Sequence, residues 1–396
     1  MTTADPATTS PHAPSSATAG REPLAPGERR INLLILASSL WIGGAETVIR
    51  HLAQTIDRRR FNLTVCCLKQ RGSIGDELVR AGIEVISFEE TKPEKIDYLT
   101  FRKLLRLIRS RNIEVVHTHT AHGLVDTGLC RAFRPSLKLV HTFHFGNYPH
   151  TSTSILRMER VFSRLATRLY AVGEVQRAQV RAVYKFLDRS IGTVWNGVHV
   201  PPETQDRSFR NQVGNGDRLL VGTIGTLIEQ KGMRDVFRVA RRIIDAGRQV
   251  HFVIVGEGVL RGELEAMRRD MGLEAHVTMT GWVTSAADVA LPAFDVFFQP
   301  SLWEAMSVVT LEAMAAGKPV VVTRVGEAPH VIEDGVDGLL VPPKDVDAME
   351  KALLRIIDDP AYRTAVGAAA RRKIQSQLTV DHMTRAYERI YQDVLR

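Results

Sequence analysis

From Ile31 onward the chain alternates short β-branched or leucine-rich runs with stretches of helical periodicity, and it does so in two series. The first series comprises Ile31 to Ala37, Asn62 to Leu68, Ile83 to Phe88, Ile113 to His117, Leu137 to Phe143, Leu169 to Val172 and Ile191 to Trp195. The second comprises Leu219 to Gly225, Val250 to Val255, Val277 to Thr280, Val296 to Gln299, Pro319 to Val322 and Gly338 to Val341. Alternation at this spacing implies βαβ units and a parallel sheet. The fold class is therefore α/β, with two doubly wound, Rossmann-like domains. Trp195-Asn-Gly-Val-His-Val-Pro-Pro202 separates the series, and Asn-Gly and Pro-Pro are strong breakers. We divide the chain into a leader at 1–28, a first domain at 29–199, a linker at 200–217, a second domain at 218–378 and a terminal helix at 379–396. Open sheets of this kind bind ligands outside the carboxyl ends of their strands, which places a site in the cleft between the domains.

Residues 1–28 are rich in Ala, Pro, Thr and Ser and have no long apolar run, the composition of a disordered leader. They lack the basic and apolar regions of a secretory signal. Ile31 to Ile42 is too short to span a bilayer, so any membrane contact would be peripheral. Cys66, Cys67 and Cys130 form neither an even framework nor a CxxC pair, and read as buried thiols in a reducing cytoplasm. The formal charge of +8 divides into +11 for residues 1–199 and −3 for 200–396. An anionic partner or surface is thus expected at the first half.

The most informative local stretch is Ser301-Leu-Trp-Glu304-Ala-Met-Ser307-Val-Val-Thr-Leu-Glu312-Ala-Met-Ala-Ala-Gly317-Lys-Pro319. Ser307 is a good N-cap, and Gly317 with Pro319 ends the helix. Val308, Val309, Leu311, Ala313, Met314 and Ala315 leave almost no polar face, which predicts burial against a sheet. Glu304 then lies in the loop before the helix and Glu312 about one turn inside it. A helix N-terminus favours phosphate, and carboxylates on either side suit hydroxyls of a sugar and a ribose. The bland alternative is a buried helix with one surface Glu and one Glu paired to an Arg.

Other stretches carry weaker signals. Gly43 and Gly44, after the first run, permit close backbone approach to a ligand at a helix start. Neither they nor Gly256-Glu-Gly258 complete a GxGxxG pattern, so dinucleotide binding has little support. His141-Thr-Phe-His144-Phe-Gly146 follows a strand end, which favours a functional role for one of its two histidines, and His117-Thr-His119 at another strand end competes with it. Lys231, leading into a helix, is a suitable point charge for phosphate. Asp345-Val-Asp347 matches a short metal-nucleotide pattern, but its place before a helix favours N-capping. No Cys/His cluster has zinc spacing, and no metal is expected. Phe101, Leu104, Leu105 and Ile108 form one helical stripe among cations. Arg157, Arg160, Arg164 and Arg168 are expected on a later helix, and Arg177, Arg181 and Lys185 on another. Together they suggest an anionic membrane surface or a phosphorylated acceptor, and without a recognition motif nucleic acid is not expected.

These residues resemble the retaining glycosyltransferases of the GT-B fold, family 4, over nearly everything from Ile31 to Arg396. The most specific match is the pair Glu304 and Glu312 with seven residues between them, followed by Ala-Met-Ala-Ala-Gly-Lys-Pro. Supporting matches are Gly43-Gly44-Ala-Glu46, Asn196-Gly197-Val198, Lys231-Gly232, Gly256-Glu-Gly258, Gly281-Trp282 and Glu333-Asp-Gly335-Val-Asp-Gly338. The resemblance implies two Rossmann-like domains facing a cleft, with the C-terminal helix crossing back to the first. It implies that Glu304 and the amides of Ala305, Met306, Ser307 and Val308 hold the donor sugar and phosphates, and that Glu312 holds the ribose hydroxyls. By the same likeness Lys231 neutralises the diphosphate, Val283 lies beside the base, and His144 lies near the reacting sugar carbon. Thr226 stands where the family commonly has an Arg, and Arg234 or Arg324 is the expected substitute. The chain also reads Gly326-Glu-Ala-Pro-His330 and Asn196-Gly-Val-His199 where the family ends those motifs in Glu and Asp.

The expected function is transfer of a sugar from a nucleotide-sugar donor to a lipid-linked or saccharide acceptor, with retention of configuration, in surface polysaccharide or glycolipid assembly. The expected location is cytoplasmic, at or near the inner face of the membrane. A sugar-nucleotide epimerase or hydrolase of the same fold, and a non-catalytic sugar-nucleotide-binding subunit, are the alternatives.

Overall fold

The computed structural model describes residues 29–89, 99–148, 152–187, 190–202, 208–213 and 216–396. The leader expected at 1–28 lies outside the described residues.

The first series of runs forms a seven-stranded sheet: β1 (Ile31–Ala37), β2 (Phe61–Cys67), β3 (Val85–Ser87), β4 (Val115–Thr118), β5 (Lys138–Phe143), β6 (Arg168–Ala171) and β7 (Ile191–Thr193). The second forms a six-stranded sheet: β8 (Leu219–Ile224), β9 (Val250–Val255), β10 (Val277–Gly281), β11 (Val296–Gln299), β12 (Val320–Thr323) and β13 (Leu339–Val341). Every pairing is parallel. The orders are β3-β2-β1-β4-β5-β6-β7 and β10-β9-β8-β11-β12-β13. Helices cover both faces of such sheets, so central strands read as unbroken apolar runs. β9, Val-His-Phe-Val-Ile-Val, is buried at all six positions. The strand order reverses direction between β1 and β4 and again between β8 and β11. Each reversal leaves a crevice at the carboxyl ends of the two strands, where no crossover helix fills the space.

The terminal helix, Val380–Asp393, leaves the second domain and packs on the first. It carries Tyr387 and Tyr391, both fully buried, with rings stacked at 6.2 Å. The Tyr391 hydroxyl lies 2.6 Å from His117 Nδ1, and the Tyr387 hydroxyl 3.1 Å from Thr142 Oγ1. Farther along the same face Thr384 meets Thr55 at 2.6 Å. The two chain crossings between the sheets run side by side. Val198 N–H donates to Leu378 O, and Val380 N–H donates to Val198 O, each at 3.0 Å.

Several local expectations need correction. Arg168 opens β6, because the helix Thr153–Phe162 stops and the chain runs through a short turn and an extended Ala166. Arg164 sits in that turn. Lys185 follows its helix, Glu174–Tyr184, in a left-handed conformation. Within 200–217 a short helix, Ser208–Gln212, buries Phe209, and Arg210 donates to Asp295. The three cysteines are buried and unpaired, and burial pushes the Cys67 and Cys130 thiols up to about 12.

Tyr391→Phe keeps the buried ring but leaves His117 Nδ1 facing no hydroxyl. The expected cost is about 1–3 kcal/mol in chemical denaturation, and Tyr391→Ala should cost more, about 3–5 kcal/mol. Equal midpoints for wild type and Tyr391→Phe would show that the hydroxyl contributes nothing.

Candidate functional site

The crevice between β8 and β11 holds the two acids' surroundings. Ser307 N-caps the helix Val308–Ala315, accepting from Thr310 N–H at 3.4 Å and from the Thr310 hydroxyl at 2.9 Å. Glu304 lies in the loop that leads there from β11. Lys231, in the turn after β8, donates to Glu304 Oε1 at 2.5 Å, and both side chains are largely buried. Ser301 donates to the same oxygen at 2.8 Å and Gln230 to Oε2 at 3.3 Å. Behind them Gln299 donates to Ser301 Oγ at 2.9 Å, and Thr323 donates to the Ser301 carbonyl at 2.6 Å. A chain of donors thus fixes the carboxylate on its inner side. A cavity of about 30 Å³ lies beneath, lined among others by Gln299, Ser301, Glu304, Ser307 and Thr323, room for about one water.

Both domains grip this loop. A Cβ on Gly146 would lie 2.3 Å from the Ala305 nitrogen, and one on Gly326, at φ 53°, 2.4 Å from the Glu304 and Ala305 carbonyl oxygens. Only glycine permits such approach from either side. Next to Gly326, Glu327 reaches into the first domain. Its Oε1 accepts from Val175 N–H at 2.7 Å and Gln176 N–H at 3.1 Å, at the start of the helix Glu174–Tyr184. The side chain is fully buried, and the helix dipole favours a carboxylate there.

The first domain contributes its own crevice, between β1 and β4. Gly43 is the N-cap of the helix Gly44–Thr55. A Cβ on Gly44 would stand 3.9 Å from Val308 Cγ2, so the starts of two helices converge on one place. Both present free amides and the positive end of a dipole. His144 follows β5, and its Nε2 lies 2.8 Å from His119 Nδ1 with rings 5.1 Å apart. The sequence set the two motifs in competition, yet one histidine of each joins in a pair. Burial pulls His144 down to about 4, so it is neutral near pH 7.

The remaining expected residues fall around this centre. Glu312 lies one turn inside its helix. Burial pushes its carboxyl up to about 7, while the positive charge of Arg50, on the helix Gly44–Thr55, pulls it down. Val283 packs against the apolar cluster that also holds Val308 and Leu311. Thr226 is exposed in the loop after β8. Arg234 is engaged by Glu229 and Glu263, and Arg324 donates to Asp334 at 2.9 Å. Each expected substitute is therefore held by carboxylates, and Lys231 is the cation that touches Glu304. Asp345 accepts from Ala348 N–H at 2.9 Å and caps its helix. Among the described residues no group of three or more His, Cys, Asp or Glu is placed to hold a metal ion. A larger cavity, about 540 Å³, lies at the amino ends of β1, β2 and β4, away from the cleft.

Sequence reasoning passed over Ser301, Gln230, Arg50 and Glu327. Ser301 stands three residues before Glu304, but nothing in that spacing marks it as a donor to a loop carboxylate. Arg50 and Glu327 act across the cleft, where local pattern gives no signal.

Comparison with known proteins covers both domains. A family model described as Glycosyltransferase Family 4 matches residues 42–200, and one described as Glycosyl transferases group 1 matches 218–359. The UDP-Gal:alpha-D-GlcNAc-diphosphoundecaprenol alpha-1,3-galactosyltransferase of Escherichia coli is 26% identical over 350 residues, 80% of this chain and 86% of its own length. The GDP-mannose-dependent alpha-(1-6)-phosphatidylinositol monomannoside mannosyltransferase of Mycolicibacterium smegmatis is 32% identical over 195 residues, 44% of this chain and 50% of that one. The crystal structure of Anabaena HepE with UDP and glucose superposes with a TM-score of 0.82 at 20% identity, over 92% of this chain and 100% of the other.

A carboxyl raised from 4.5 to about 7 means that the folded chain holds the proton more tightly than the unfolded chain does. Stability should therefore fall as pH rises from about 4.5 through about 7 and level off above. Glu312→Gln removes this term, so its unfolding midpoint should gain on wild type between about pH 5 and about pH 8. A constant difference across that range would show that Glu312 does not titrate there.

Proposed function

We propose, for a chain that belongs to glycosyltransferase family 4 and has the two-domain GT-B fold, that it moves a hexose from a nucleoside-diphosphate sugar to a lipid-linked or saccharide acceptor, with retention of anomeric configuration. The observation that carries this reading is the Glu304–Lys231 pair beside two converging helix starts. In it Glu304 turns a carboxylate to the sugar hydroxyls. Lys231 and the amides of Ala305, Met306, Ser307 and Val308, with Gly43 and Gly44 opposite, neutralise the diphosphate. Glu312 takes the ribose hydroxyls in its ionised form, Val283 borders the base, and His144 stands near the reacting carbon. The acceptor hydroxyl attacks the anomeric carbon on the face from which the diphosphate leaves. A new carbon–oxygen bond forms, the bond to the phosphate oxygen breaks, and the hydroxyl proton passes to the departing phosphate. Charge grows on that phosphate, so cations and amides held in advance lower the barrier most there. With Thr226 in place of an Arg, Lys231 and the two helix starts carry this task. No metal enters the scheme, and a chelator should leave turnover unchanged.

The acceptor side is less patterned. The Escherichia coli and Mycolicibacterium smegmatis relatives are named for lipid-linked acceptors, which supports a place in glycolipid or surface-polysaccharide assembly. Residues 99–187 contain fifteen Lys and Arg against four acids, and so account for the whole charge excess of the first half. Leu129, Phe133, Val161 and Leu165 are exposed on the neighbouring segments of that stretch. Cations around exposed apolar side chains suit the anionic inner face of a membrane. No helix among the described residues is long and apolar enough to cross one.

Two measurements test the reading. In a panel of UDP-, GDP- and ADP-sugars, with and without lipid extract, one donor should raise the melting temperature and be consumed only with extract. Glu304→Gln and His144→Ala should lower turnover by about 10²–10³-fold. Wild-type rates in both variants would defeat the site. Nucleotide release from donor alone would indicate an epimerase or hydrolase, and binding without turnover a non-catalytic subunit. Separately, the protein should float with phosphatidylglycerol vesicles at low salt and not with phosphatidylcholine vesicles, and Phe133→Asp with Val161→Asp should abolish flotation. Equal flotation with both vesicles would refute the charged surface.

A further inference from the structure

We propose that His119 fixes His144 in the tautomer whose Nδ1 carries the proton, so that His144 faces the cleft as a hydrogen-bond donor and not as a base. The two rings share one hydrogen bond, His119 Nδ1 to His144 Nε2 at 2.8 Å, and that bond holds a single proton. Burial keeps both rings neutral near pH 7. Two arrangements are then open. If His144 Nε2–H donates, His119 must carry its own proton on Nε2. That atom is buried and faces no partner, and His119 is only 3% exposed. The result is a buried N–H with no acceptor. If His119 Nδ1–H donates instead, the atom left unpaired is a bare ring nitrogen. Among backbone groups an orphaned buried N–H is rarer than an under-satisfied acceptor; the same order, taken over to ring nitrogens, selects the second arrangement.

The neighbours leave His119 no other outlet. His117 lies against it with rings 4.0 Å apart, but both His117 nitrogens are engaged, Nδ1 by Tyr391 at 2.6 Å and Nε2 by Thr142 at 2.8 Å. His141 turns its Nδ1 to Thr118 Oγ1 at 2.7 Å. With Nε2 of His144 accepting, its proton sits on Nδ1. His144 is partly exposed and stands two residues before Gly146, which touches the Glu304–Ala305 loop. His119 is thus a positioning residue, and the group that His144 offers is an N–H suited to a sugar oxygen. The sugar as partner rests on the glycosyl-transfer reading, whereas the tautomer does not.

The test uses the full chain labelled with ¹⁵N-histidine, without any donor, in a long-range ¹H–¹⁵N correlation at neutral pH. His144 is assigned by its loss in His144→Gln. The expected pattern is a pyrrole-like Nδ1 and a pyridine-like Nε2 for His144. His119→Asn, which keeps an N–H near the place of Nδ1, should preserve that pattern and stay within about threefold of wild-type kcat. His119→Leu should move the proton toward Nε2 and lower kcat by about tenfold with little change in KM, the loss of about one hydrogen bond. A pyridine-like Nδ1 in the wild type overturns the proposal whatever the activity, as does an unchanged pattern in His119→Leu. The expected pattern in a chain that turns over no donor would sink the glycosyl-transfer reading alone.

Discussion

The loop from Ser301 to Ser307 is gripped from both domains, and the cleft takes its form from that grip. Gly146 presses on it from the first domain and Gly326 from the second, at distances that no side chain would allow. Lys231, Ser301 and Gln230 hold the Glu304 carboxylate from the inside. Glu327, one residue beyond Gly326, anchors the same region to the helix Glu174–Tyr184 by accepting two backbone N–H groups. A buried carboxylate is costly unless it is well paired, and here the pairing spans the domains. The position of this loop is therefore a property of the whole molecule and not of its own sequence.

The electrostatics separate along the same line. Cations crowd the outer helices of the first domain, while β4, β5 and the residues just after them carry neutral histidines: His117, His119, His141 and His144 are all lowered by burial. The converging helix starts present the positive ends of backbone dipoles, and Lys231 beside them is paired with Glu304. Fixed dipoles need no reorganisation when an anion arrives, which is the condition under which they act most strongly.

Much of this was legible in the residues. The thirteen strands follow the apolar runs to within a residue or two, because strands buried on both faces leave no polar interruption to misplace them. Ser307, Gly317 and Pro319 bounded a helix that runs from Val308 to Ala315. Glu304 and Lys231 stood out by type and position, and the structure brings them together. What could not be read was contact between separate elements, and a turn that has no breaker residue. The motifs that hold His119 and His144 read as rivals when each is judged on its own run, whereas the pairing of β4 with β5 brings their ends together. Arg168 was assigned to a helix because cations at regular spacing mimic a helical face, and the turn at Ser163–Leu165 has no Gly or Pro to announce it. Glu327 gave no sign of its role, since its partners are backbone groups about 150 residues away.

The crossing helix alters the order in which the chain can become complete. Tyr387 and Tyr391 close the core of the first domain and satisfy His117 and Thr142, yet they are translated only after the entire second domain. Domains that fold as they leave the ribosome usually finish in order from the N-terminus. This one cannot: its first sheet waits, with a polar face uncovered, until the helix Val380–Asp393 returns to it. The halves are consequently not separable modules, and a gene cut between them would yield an N-terminal piece that lacks part of its own interior.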